Sequence, residues 1–301
     1  MLSVKAIIQN ARRAGVSIPA FNIPYLPMAK PVIQAGADQD AFALIELARL
    51  EWVKFEARSP AALAEEFAKW DQPRHVRLHL DHVPVIDEDQ QSVDYLAILR
   101  EALGLGYQSV MVDGSRLKLE DNIAATRQAA ALAHTADAPL EAELGAVLGH
   151  ETGPVPPYEE LFASGRGFTD VAEARRFVQE SGCDWLSVAI GNIHGAIAAG
   201  QRDLKKVQAR LNLERLEQLS AATRVPLVLH GGSGIPADLV REAARRGIAK
   251  VNVGTEIRQA YEAELKAGGS VPAAQQAVYE RTGWLLREYF GIAGIRAKVA
   301  E

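Results

Sequence analysis

The run Val76-Arg77-Leu78-His79-Leu80-Asp81-His82-Val83 brings two imidazoles and a carboxylate close together in the chain. Apolar Val76, Leu78 and Leu80 alternate with Arg77, His79 and Asp81, which predicts a strand over 76–80 with His82 at its end. Histidine is the usual nitrogen ligand of zinc, and a carboxylate beside it is placed to move a proton on a substrate that a metal holds. The same residues also read as a buried polar cluster that holds a loop.

The elements around this run decide what it can do. Helices are predicted over 3–14, with Val4, Ile7 and Ile8 on one side and Gly15 as the stop, and over 29–38 and 60–70. Another starts at an N-cap Ser92, carries Val93, Leu96, Leu99 and Leu103 on one face, and ends at Gly104. Further helices are expected over 118–135 and from a capping box at Asp170 and Glu173 to Gly182. Between them lie apolar runs at 18–22, 42–46, 109–112, 140–144, 185–190, 226–230 and 248–252, which with 76–80 make eight strands, each followed by a helix. Eight such units predict an α/β fold, a parallel (β/α)8 TIM barrel with its site at the C-terminal ends of the strands. The 301 residues suit a single domain of this kind, which typically needs about 250, with additional N- and C-terminal helices.

Two segments fall outside the repeat. Residues 145–168 are rich in glycine and proline, have no clear periodicity and are expected to form a mobile active-site loop. Residues 271–301 form a C-terminal helical extension, in which Val278, Trp284 and Leu285 offer an apolar face for the barrel or for another subunit.

A catalytic barrel should carry polar residues at the ends of several strands, and Asn22, Asp113, Glu143, His194, His230 and Asn252 all follow or terminate apolar runs. His82, His194 and His230 come from three separate strands, which favours a metal centre with an open position over three unrelated structural histidines. Gly231-Gly232-Ser233-Gly234-Ile235-Pro236 follows the seventh strand, where backbone N–H groups can approach a phosphate, and Gly195 and Thr255 are placed to complete the cradle.

Composition narrows the class. A formal charge of -5 argues against a nucleic-acid or anionic-membrane binder, which would need a basic stripe. The single cysteine, Cys183, reads as a small core residue. The first residues have no uninterrupted apolar stretch of a secretory signal and no membrane-length run follows, so cytoplasmic residence is expected.

These pieces together resemble the class II, metal-dependent fructose-bisphosphate and tagatose-bisphosphate aldolase family. The resemblance runs in family order through Pro19-Ala20-Phe21-Asn22, His79-Leu80-Asp81-His82, Val110-Met111-Val112-Asp113-Gly114-Ser115, Glu141-Ala142-Glu143-Leu144-Gly145, Gly191-Asn192-Ile193-His194-Gly195, Leu229 to Pro236, and Lys250-Val251-Asn252-Val253-Gly254-Thr255. It implies zinc, or another divalent metal, on His82, His194 and His230, with Asp113 and Glu143 as alternative or second-site ligands. It implies a small-molecule sugar phosphate cleaved to dihydroxyacetone phosphate and an aldehyde. Gly195, Gly231, Ser233 and Thr255 would hold the donor phosphate, with a monovalent cation (Na+ or K+) close by, while Asn252 contacts the donor near its reacting carbons and Asn22, Gly232 and Gly254 also contact substrate. Asp81 would handle the acceptor oxygen and Glu151 the donor proton. A homo-oligomer, dimer or tetramer, is also implied.

The chain departs from the family pattern at four places. Val83 follows the Asp-His pair, Ala48 replaces a serine after the second strand, the loop reads Leu148-Gly149-His150-Glu151-Thr152, and Gly254 stands where many fructose-bisphosphate enzymes carry aspartate. The metal and donor sides thus look kept and the acceptor side rebuilt.

Overall fold

The computed structural model describes residues 1–70, 72–145, 158–192 and 209–301. Eight parallel strands close into a barrel: β1 Ile18–Asn22, β2 Ala43–Ala48, β3 Val76–Pro84, β4 Ser109–Asp113, β5 Leu140–Leu144, β6 Trp185–Val188, β7 Leu227–Leu229 and β8 Ile248–Val253. Each strand pairs with its neighbour in sequence, and β8 returns to β1 with Asn252 opposite Ala20. This is the TIM barrel that the alternation of elements predicts.

Side-chain parity divides the barrel into three environments. Outward residues such as Leu78, Val110, Val112, Leu186, Leu229 and Val251 pack against Val32, Leu99, Ala129, Phe177, Leu216 and Val240 of the surrounding helices. Inward residues at the floor, Ile18, Ala20, Phe42, Leu44, Trp185 and Val228, pack with Val4, Ile7 and Ile8 of the helix Val4–Ala14. That helix is capped at Ser3, whose Oγ accepts from the Ala6 N–H, and is stopped by Gly15 at φ 65°. It closes the bottom of the barrel with apolar surface. Higher up, the inward positions change character: Glu46, His79, Asp81, Glu141, Glu143, Lys250 and Asn252 are all buried. Charged groups are rarely buried unless paired, so this layer is the part of the fold that packing alone does not explain.

β3 is longer than expected, and its extra length is what presents Asp81 and His82. Between Leu80, opposite Val110, and Val83, opposite Val112, β3 advances three residues while β4 advances two. This is a β-bulge, and His82 within it takes a left-handed φ of 35°. The bulge turns Asp81 and His82 together toward the barrel mouth, a conformation that a plain strand would not allow and that costs on the order of 1–3 kcal/mol.

Other boundaries also differ from the reading of the sequence. The N-cap of the helix Tyr95–Gly104 is Asp94, whose Oδ1 accepts from the Ala97 N–H at 3.0 Å, whereas Ser92 makes an isolated bridge with Ile86. A short helix, Arg49–Lys54, follows β2, and Tyr158–Ser164 is helical within the stretch read as irregular. Residues 146–157 of the expected mobile loop lie outside the described residues. The helix Val271–Trp284 continues into a π turn, Leu285–Tyr289, and Trp284 is among the more exposed large apolar side chains while Val278 and Leu285 are buried. Trp284 therefore does not share their buried face. Among the described residues no helix is long and apolar enough to cross a membrane.

Candidate active site

Asp81 is the best-held side chain at the barrel mouth. Asn22, at the end of β1, donates from Nδ2 to Asp81 Oδ2 at 3.0 Å, and Asn252, on β8, donates from Nδ2 to Oδ1 at 2.9 Å. Burial alone would favour the neutral acid, but His82, Lys250 and His230 outweigh it and hold Asp81 well below the usual carboxylate range. Asp81 is therefore a fixed, ionised carboxylate.

The two described histidines at this mouth face one another, with ring centroids 4.4 Å apart. His82 Nδ1 lies 3.4 Å from Asp113 Oδ2. His230, just after β7, has Nε2 2.8 Å from Glu141 Oε1 and Nδ1 2.9 Å from Glu143 Oε2. Its backbone is pinned as well, because Asn192 Nδ2 donates to the His230 carbonyl at 3.0 Å. Burial opposes charge on both rings, and for His230 so does His82. The surrounding carboxylates nevertheless raise both, His82 well above its ordinary value through Asp81, Asp113 and Glu143.

This donor set fits a metal. One ligand atom each from Asp81, His82 and His230 lie within 4.8 Å of one another, as do those of His82, Asp113 and Glu143. Two imidazoles ringed by carboxylates in a buried cavity are short of positive charge, and a divalent cation satisfies both ligand types. His194 and Gly195, together with Glu151, lie outside the described residues.

His79 points into the layer below. Its Nδ1 is 2.8 Å from Ser109 Oγ, and burial, aided by Lys250, pushes its pKa down to about 3, so it is neutral. It thus lies beneath the metal-ligand candidates and is held by β4.

The glycine-rich turn after β7 supplies the other end of the cavity. Gly232 N–H donates to the Asn252 carbonyl at 3.1 Å, which ties the turn to β8. A Cβ on Gly232 would come within 2.4 Å of Val251 Cγ1 and 2.9 Å of the Asn252 carbonyl oxygen, so only glycine allows this approach. The turn is also gripped from outside, since the Tyr289 hydroxyl lies 2.8 Å from the carbonyls of both Gly232 and Ile235. Ser233 Oγ is buried without a hydrogen-bond partner among the described residues. Gly231, Ser233, Gly254 and Thr255 line the same cavity as Asn22, Asp81, His82 and His230.

Several residues at the site are not singled out by sequence reasoning. Lys250 and Glu46 are buried inside the barrel, and Glu141 bridges Lys250 and His230. Parity carried the signal: Lys250 stands two residues before Asn252, and Glu141 two before Glu143, so each shares its partner's inward face. Glu51 lines the cavity beyond Ala48, and its Oε2 accepts from the Ala48 N–H at 2.8 Å. Burial pushes the Glu51 carboxyl up to about 8. Arg258 and Arg116 line the cavity too.

Comparison with known proteins places the chain in a family. The family described as fructose-bisphosphate aldolase class-II matches residues 2–298. A 6-phospho-5-dehydro-2-deoxy-D-gluconate aldolase from Halalkalibacterium halodurans is 31% identical over 263 residues, covering 87% of this chain and 82% of that one. The crystal structure of the YdjI aldolase from Escherichia coli K12 superposes with a TM-score of 0.76 at 28% identity, covering 98% of this chain and 99% of the other. A fructose-bisphosphate aldolase from Campylobacter jejuni shares the fold, with a TM-score of 0.73 at 19% identity over 97% of this chain and 96% of that one. The chain therefore belongs to the class II fructose-bisphosphate aldolase family.

Proposed function

We propose that this protein is a zinc-dependent aldolase that reversibly cleaves a ketose phosphate to dihydroxyacetone phosphate and an aldehyde. The observation that carries this reading is the double amide clamp on Asp81, set beside the facing rings of His82 and His230. A carboxylate held in this way beside the metal-ligand candidates is placed to move a proton on a substrate that they bind.

In this reading His82, His194 and His230 hold the metal, and Asp113 and Glu143 are its alternative or second ligands. Zinc bound there supplies Lewis-acid stabilisation to the donor's carbonyl oxygen as negative charge develops on it. Asp81 takes the proton from the C4 hydroxyl in cleavage and returns it to the aldehyde oxygen in condensation. Asn22 and Asn252 keep it aimed. Glu151 is assigned the donor proton on the family resemblance. Ser233 Oγ, buried without a partner among the described residues, supports a phosphate at the β7 end, where Gly195, Gly231, Gly232, Gly254 and Thr255 complete the surround with a monovalent cation nearby. A relative named for a substrate with a single phospho group supports a ketose that need not be a bisphosphate. Cytoplasmic residence and a homo-oligomer belong to the same reading.

The test avoids the unknown aldehyde. Zinc-loaded protein incubated with dihydroxyacetone phosphate in D₂O should exchange the C3 proton, followed by NMR, and a chelated sample should not. Replacing His82 with Ala should remove the exchange and weaken zinc binding by about 100-fold. An unchanged exchange rate in that variant, or none in the loaded parent, would overturn the reading.

A further inference from the structure

Lys250 is fully buried on the inward face of β8, between the floor of the barrel and its mouth. Its Nζ donates to Asn252 Oδ1 at 2.7 Å and lies 2.9 Å from Glu141 Oε2 and 3.3 Å from Glu46 Oε2. The three acceptors come from β8, β5 and β2, and an ammonium has three N–H donors and no acceptor to offer them.

We propose that Lys250 is a positioning residue that sets both arms of the site, orienting Asp81 through Asn252 and His230 through Glu141. The proposal rests on the aldolase reading above, in which Asp81 moves a proton and His230 holds the metal.

The first arm turns on the symmetry of an amide. The two ends of the Asn252 side chain are alike in size, so shape does not decide which one faces Asp81. Lys250 and Asp81 fix it from opposite sides, because only the carbonyl oxygen can face an ammonium and only the N–H end can face a carboxylate. The Nδ2 end is then left to donate to Asp81 Oδ1 at 2.9 Å. The reversed amide would set oxygen against the carboxylate and N–H against the ammonium, two repulsive contacts in place of two hydrogen bonds.

The second arm divides one carboxylate between two partners. Glu141 gives Oε2 to Lys250 and keeps Oε1 on His230 Nε2 at 2.8 Å. His230 is thereby fixed with Nδ1 on the side of Glu143, 2.9 Å away. Outer partners of this kind set the ring orientation and basicity of a metal-binding histidine. Of the two carboxylates around Nζ, Glu141 is the nearer, at 2.9 Å against 3.3 Å for Glu46, which makes Lys250 and Glu141 the matched pair.

The matched pair suggests a variant that folds. In Lys250→Met/Glu141→Gln the buried charges leave together, and the side-chain amide carbonyl introduced at position 141 can still accept from His230. Zinc affinity would be measured by chelator competition, donor-proton exchange in D₂O as above, and condensation of dihydroxyacetone phosphate with D-glyceraldehyde or whichever aldehyde the parent accepts. The double variant should keep zinc affinity and donor exchange within about tenfold of the parent, while condensation kcat falls about 100-fold with little change in KM. Lys250→Met alone, which leaves Glu141 unmatched, should also bind zinc about 10–100-fold more weakly. The proposal is overturned if the double variant condenses within about threefold of the parent, or if affinity, exchange and condensation all fall together as in a general collapse of the interior. A loaded parent that exchanges no donor proton would refute the aldolase reading instead. The zinc comparison needs no turnover and still decides the Glu141 arm.

Discussion

At the scale of single residues, the proposed reading separates a proton-moving group, Asp81, from the groups that hold it. Asp81 accepts from two amides while His82, Lys250 and His230 keep it ionised, so its geometry is set before any substrate arrives. Asp81→Asn keeps the shape and removes the base. Condensation and cleavage should then fall by about 10²–10⁴, while zinc binding and donor-proton exchange persist; parallel loss of exchange would show that Asp81 acts on the donor instead. Asp81, His82 and His230 are legible in the sequence because each ends or follows an apolar run. Lys250, Glu46 and Glu141 are harder to read. A charge inside an apolar strand usually marks a solvated face, and what makes these interior is closure of the barrel, which brings β2, β5 and β8 around one ammonium.

At the scale of elements, the alternation of strand and helix was enough to place eight strands, since each βα unit has its own apolar stripe and its own stop. The bulge in β3 was not legible, because it depends on the register of β3 against β4, and register is a property of two strands. Nor was the short helix Tyr158–Ser164, whose neighbouring glycines and prolines mask its period. The turn after β7 gives an element-scale test. Gly232→Ala drives a methyl against Val251 and the Asn252 carbonyl, so the turn must move away from β8. Overpacking of this kind destabilises by about 1–3 kcal/mol, and the displaced donor cradle should raise the KM for dihydroxyacetone phosphate by about tenfold. Thermal unfolding checks the first figure and steady-state kinetics the second; a variant that loses stability with its KM intact would place the phosphate elsewhere.

At the scale of the whole molecule, the proposed metal site links stability to metal binding through protons. His82 is held well above its ordinary pKa, so in the metal-free protein the stability it gains from Asp81, Asp113 and Glu143 is fully present below about pH 6.5 and is lost as pH rises through the folded value. Metal must expel that proton. Zinc affinity should therefore rise with pH up to the folded value, by about tenfold per unit for one displaced proton, and the gain in Tm on adding zinc should be larger at pH 8 than at pH 6. A Tm gain that does not change with pH would mean that His82 carries no proton for the metal to displace.

The clamp on Asp81 has one further consequence, for synthesis. Its two amides come from the first strand and the last, joined where β8 closes on β1, and Asn22 and Asn252 stand 230 positions apart in the chain. A chain still emerging from the ribosome can hold β1 to β7, His82 and His230, yet it has half a clamp and no Lys250. In the aldolase reading, competence therefore requires the seam between β1 and β8 to close, which makes the onset of turnover a reporter of barrel closure.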